Sequence, residues 1–101
     1  MRKVLPLVLG LCLLGSASAQ DLPLKVLYLG LSKGFAHSSV GPGGVAITAL
    51  GEQTGLWTTK VSADIADLAP DAIGQWDVIF FYTTGDLGLN DAAKQGLLDW
   101  V

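Results

Sequence analysis

Uninterrupted apolar runs and helix-spaced apolar positions alternate along this chain. Residues 25–31 (KVLYLGL) combine valine, leucine and tyrosine with no polar alternation after the lysine. A run of that kind predicts a strand buried on both faces, as in a parallel sheet. Residues 56–62 (LWTTKVS) are rich in β-formers and predict a second strand. Residues 77–83 (DVIFFYT) predict the strongest strand, again apolar on both faces. Between the first two strands, Ile47, Leu50, Gly51 and Thr54 fall at i, i+3, i+4 and i+7, the spacing of a helix over residues 45–54 with one face on a sheet. Gly55 stands where a helix C-cap is expected. Residues 64–76 predict short helical turns, with Pro70 at a first helical position and Ile73 and Trp76 on the inner side. Asn90 is a natural N-cap for a helix over residues 91–101, which would place Ala93, Leu97, Leu98 and Val101 on one face.

Strand, helix, strand, helix, strand, helix is the order of an α/β fold with a parallel sheet and right-handed crossovers. The expectation is a flavodoxin-like three-layer fold, represented by its N-terminal part of about three β-α units. No internal repeat or low-complexity segment interrupts it. Residues 97–101 (LLDWV) end in mid-helix by pattern, without a capping glycine or charged tail, so residues 25–101 are expected to be the N-terminal portion of a longer α/β domain.

The first 19 residues follow a different rule. Arg2 and Lys3 supply a positive start, residues 4–14 are almost wholly apolar, and Ala17 and Ala19 give a small-x-small exit. This is the pattern of a cleavable signal peptide, with cleavage expected between Ala19 and Gln20. The apolar run is 11 residues, whereas a spanning helix needs about 20, so no stable membrane anchor is expected after cleavage. The mature protein is expected to be secreted or periplasmic. Residues 20–24 form a short lead-in.

Cleavage changes the composition. Cys12 is the only cysteine, and the leader carries it away. Leu11 before it is not the small residue a lipid anchor requires. Residues 20–101 then contain no thiol for a disulfide, a metal or a nucleophile. They keep four basic residues, Lys25, Lys33, Lys60 and Lys94, against nine acidic ones, a net charge of −5. That charge argues against a nucleic-acid partner, whose phosphates demand a basic face.

Candidate chemistry gathers at one edge. In open α/β sheets ligands bind outside the carboxyl ends of the strands, where strand order reverses. In a flavodoxin-like order the first and third strands adjoin there. Their loops carry Lys33, Phe35, His37, Ser38 and Ser39 on one side, and Thr83, Thr84, Gly85 and Asp86 on the other. His37, the only histidine, can serve as a general base or metal ligand near neutral pH, or simply hydrogen-bond its own loop. Ser38 and Ser39 suit loop amides or a helix cap better than a nucleophile, since a nucleophile and its base are assembled in space. Asp86 can contact a ligand or fix the turn. Residues 41–44 (GPGG) precede the helix and read as a flexible entry; they lack the spacing of a dinucleotide loop and the lysine of a P-loop. Trp57, Trp76 and Trp100 read as packing residues at element edges rather than a sugar platform.

The strand KVLYLGL, then Lys33-Gly34-Phe35-Ala36-His37-Ser38-Ser39, then DVIFFYT running into Thr83-Thr84-Gly85-Asp86, resembles the start of ThuA-like (trehalose-utilisation) domains. These belong to the class I glutamine-amidotransferase-like group. The resemblance covers residues 25–101. Ala36 stands where the family often has arginine, which removes an anion contact from that position. The resemblance implies a flavodoxin-like sheet and a role in carbohydrate utilisation. Its small-molecule, carbohydrate-derived ligand would meet His37 and Asp86 as pocket residues. The reaction is not implied, and the amidotransferase cysteine has no counterpart in residues 20–101. The alternative expectation is a non-catalytic ligand-binding module of a multidomain secreted protein. A flavin-binding flavodoxin is disfavoured, because the first loop lacks a threonine-rich phosphate cradle. A phosphoacceptor receiver domain lacks its acidic pair at the end of the first strand.

Overall fold

The computed structural model describes residues 21–101; the expected leader lies outside them. Three strands form one parallel sheet: β1 (Leu24–Leu29), β2 (Trp57–Ser62) and β3 (Val78–Phe81), in the order β2-β1-β3. Helix α1 (Val40–Thr54) connects β1 to β2. Two 3₁₀ turns, Ile65–Leu68 and Ile73–Gln75, lead into β3, and helix α2 (Asp91–Trp100) closes the described chain. The protein is therefore a mixed α/β structure whose strand order matches the first three strands of a flavodoxin-like sheet.

The central strand carries the core. β1 has a neighbour on each side, in register from Leu24 opposite Trp57 to Leu29 opposite Ser62, and from Val26 opposite Val78 to Leu29 opposite Phe81. Val26, Leu27, Tyr28 and Leu29 are all buried, as its unbroken apolar run requires. Alternation along the strand divides them between two layers. Leu27 and Leu29 join Leu68, Ile73 and Trp76, with Leu97 and Trp100 of α2 packed against them. Tyr28 faces α1, where its hydroxyl donates to the Val40 carbonyl at 2.8 Å. Burial of that phenol, and then the neighbouring Tyr82, pushes the Tyr28 pKa up.

Helix α1 starts five residues before the expected position, so residues 41–44 are its first turns and not a flexible entry. Pro42 is tolerated there because the first helical amides have no intrahelical partner. Gly43 and Gly44 serve close packing. A Cβ on Gly43 would sit 2.6 Å from the Tyr28 hydroxyl, and one on Gly44 would sit 3.2 Å from both Tyr28 and Val61. Gly55 ends the helix in the left-handed conformation at φ 70°, as its place in the sequence predicts.

β3 departs from expectation. Val78, Phe80 and Phe81 are each about 41–42 % exposed. Among the described residues β3 pairs only with β1, and α1 lies over β1 and β2. Its apolar run is therefore half covered. On α2, Asn90 caps as expected, its side-chain oxygen accepting from the Ala93 amide at 2.8 Å. Ala93 is buried and Leu97 half-buried, but Leu98 and Val101 are 70 % and 91 % exposed. Trp100 takes the inner position instead, donating its indole N–H to the Trp76 carbonyl at 3.0 Å. Trp57 and Trp76 likewise donate to the carbonyls of Ile47 and Asp67. All three indoles belong to packing.

One ion pair ties β2 to the first 3₁₀ turn. Asp67 is 9 % exposed and accepts from Lys60 Nζ at 2.7 Å and Ser62 Oγ at 2.5 Å. Burial alone would raise its pKa, but those two hydrogen bonds and the ammonium charge outweigh it, leaving the carboxyl below its ordinary range. A group with a depressed folded pKa contributes stability that is present above the unfolded value, about 3.9. That contribution is lost as pH falls through the folded pKa. Asp67→Asn is expected to cost about 2 kcal/mol at pH 7, hydrogen bonds to charged groups being worth about 1.5–3 kcal/mol. The difference from wild type should shrink in urea melts repeated below pH 4.

Candidate functional site

β1 and β3 adjoin, so the loops leaving their carboxyl ends emerge side by side. They are stitched together by backbone. Ser32 and Thr84 form a parallel bridge. The Lys33 amide donates to the Thr84 carbonyl at 2.8 Å, and the Thr84 amide to the Leu31 carbonyl at 3.3 Å. The Thr84 hydroxyl donates to the Phe35 carbonyl at 2.8 Å. Gly85 has φ 75°, and a Cβ there would lie 2.8 Å from the Gly34 amide nitrogen. Thr84 and Gly85 thus shape the floor of the edge: one threads the two loops together, and the other lets their backbones touch.

Above this floor the β1–α1 loop is exposed. Phe35 is 73 % exposed, and Lys33, His37, Ser38 and Ser39 are exposed too. The His37 ring stands edge-on to Phe35 at 5.0 Å and tilted against Tyr82 at 6.5 Å. Its backbone carbonyl accepts from the Val40 amide at 3.2 Å, which anchors the loop to the first turn of α1. The exposed imidazole has these two rings beside it and no carboxylate partner among the described residues. There is also no cluster of three or more metal-ligating side chains among them.

The expected residues therefore separate into groups. Phe35, His37 and Ser39 converge with Tyr82, whereas Lys33, Thr84 and Gly85 meet through backbone and floor contacts. Asp86 makes a local contact: one of its carboxylate oxygens accepts from the Gly88 amide at 2.9 Å, which helps fix the turn. Thr83 is half-buried beside the floor, and Ser38 lies exposed on the loop. Ser39 occupies the position before α1, yet its side chain makes no capping bond. Its hydroxyl pairs with the Tyr82 hydroxyl instead.

Tyr82 is the residue that loop motifs do not mark. Its signal was strand parity. Val78, Phe80 and Tyr82 point to one side of β3, the side of Tyr28 and α1. The Tyr82 amide still bonds the Leu29 carbonyl at 3.0 Å, so the ladder carries that parity one residue past the strand. No helix of the described residues is long and apolar enough to cross a membrane. Compared with family models, curated proteins and solved structures, the chain matches none of them.

Proposed function

We propose that this chain is part of a secreted ThuA-like domain that binds a carbohydrate-derived small molecule in sugar utilisation, at the carboxyl edge of β1 and β3. The observation that carries this reading is the convergence of Phe35, His37, Ser39 and Tyr82 above the stitched Thr84–Gly85 floor. An exposed aromatic ring beside an imidazole and a phenol suits a ligand with apolar C–H faces and many hydroxyls. The net charge of −5 on residues 20–101 keeps nucleic acid out of this reading.

One observation favours a non-catalytic binding module over an enzyme within this site. The His37 ring stands beside Phe35 and Tyr82 and has no carboxylate partner among the described residues to orient it as a base. Calorimetry of the full-length protein with a panel of mono- and disaccharides tests both readings. Binding of at least one sugar is expected, with His37→Ala weakening it about tenfold, or about 1.4 kcal/mol. Binding without turnover supports the module, and turnover lost in His37→Ala supports the enzyme. A wild-type protein that binds no sugar removes the carbohydrate reading.

A further inference from the structure

We propose that Tyr82 is a polar contact that the β3 side offers to a ligand hydroxyl, and that Ser39 competes with the ligand for the Tyr82 phenol. This rests on the proposal that the β1–β3 edge binds a carbohydrate. Three observations converge on Tyr82. Its backbone is held by the bond to Leu29, so the residue extends from the sheet ladder. Its ring stands 6.5 Å from His37, extending the line Phe35–His37–Tyr82 across the edge. Its hydroxyl meets Ser39, an exposed residue with no other side-chain bond.

Two neighbouring hydroxyls and one carboxylate oxygen already have partners. The Tyr28 hydroxyl donates to Val40 beneath the helix. The Thr84 hydroxyl donates to Phe35, and the Asp86 carboxylate accepts from Gly88. A phenol both donates and accepts, so it matches a sugar hydroxyl in either sense. The Ser39–Tyr82 bond joins two neutral hydroxyls, and such bonds are weaker than charge-assisted ones. A ligand hydroxyl can exchange for it without stripping a charge.

The competition predicts opposite signs for two substitutions that break the same bond. In calorimetric titrations of the full-length protein with trehalose and with glucose, Tyr82→Phe should bind about tenfold more weakly than wild type. Ser39→Ala frees the phenol and should bind about two- to fivefold more tightly. Equal weakening by both variants would show that the bond only latches the loop, and would overturn the inference. So would unchanged affinity in Tyr82→Phe. If Tyr82→Phe folds poorly, the sign of Ser39→Ala decides alone: tighter binding supports competition, and weaker or unchanged binding refutes it. A wild type that binds neither trehalose nor glucose overturns this inference, while the other sugars of the panel still test the parent reading.

Discussion

Gly51→Ala is expected to destabilise the protein by about 2 kcal/mol, although alanine is the better helix former. Propensity alone favours the substitution by about 1 kcal/mol. Packing decides the other way. Gly51 is buried in α1, and a Cβ there would lie 2.5 Å from both the indole nitrogen and the carbonyl oxygen of Trp57, and 2.6 Å from its Cδ1. None of these atoms yields easily. The indole donates to the Ile47 carbonyl at 3.0 Å, and the Trp57 backbone pairs with Leu24 in the sheet. The helix has to lift off β2, and overpacking of this kind costs about 1–3 kcal/mol or more. Gly41→Ala in the same helix is the contrast, because a Cβ there meets nothing within 4 Å. It should leave stability unchanged or raise it by about 0.5 kcal/mol. Urea unfolding of the two variants measures the difference; equal midpoints would mean that α1 is not seated on Trp57.

Leu27→Ala is expected to cost about 3–4 kcal/mol, within the range of about 2–5 for buried leucines. Leu27 is fully buried in the central strand, with Lys60 and Ile79 opposite it on the two neighbours. It packs in the layer formed by Leu29, Leu68, Ile73 and Trp76. The sheet fixes its backbone from both sides, so the surroundings cannot collapse into the space left. That loss is a large share of the roughly 5–15 kcal/mol that holds a small domain together. Leu98→Ala, at a position 70 % exposed, should stay within about 0.5 kcal/mol of wild type. Similar losses for both leucines, in thermal or urea melts, would contradict the layer assignment.

The site was legible as a place more than as a set of residues. Parallel-strand logic put the loops after β1 and β3 at one edge, and the Ser32–Thr84 bridge joins them there. The roles of the residues followed less closely. Asp86 stands at a strand end by sequence, and one of its carboxylate oxygens also closes a local turn on the Gly88 amide. Ser39 stands before a helix, yet its hydroxyl turns to Tyr82. Local hydrogen bonding of short polar side chains depends on which partner the fold brings within reach, and motif reading has no access to that.

What the sequence determined by itself was the order and type of the elements. The helix-spaced apolar positions, the Gly55 and Asn90 caps and the unbroken run of β1 are local properties, and the local rules that govern them hold wherever the segment lies. The tertiary structure decided which apolar residues are covered and which glycines are spaces. Leu97 and Leu98 look alike in the chain, but only Leu97 turns toward Trp76 and Leu68. β1 and β3 read alike as apolar runs, but only β1 has a strand on each side among the described residues. Residues 41–44 look like a flexible entry until Tyr28 is seen beneath Gly43 and Gly44, filling the volume side chains there would have taken. Burial and close approach are properties of pairs of segments distant in sequence, so they emerge only when the sheet and helices are assembled.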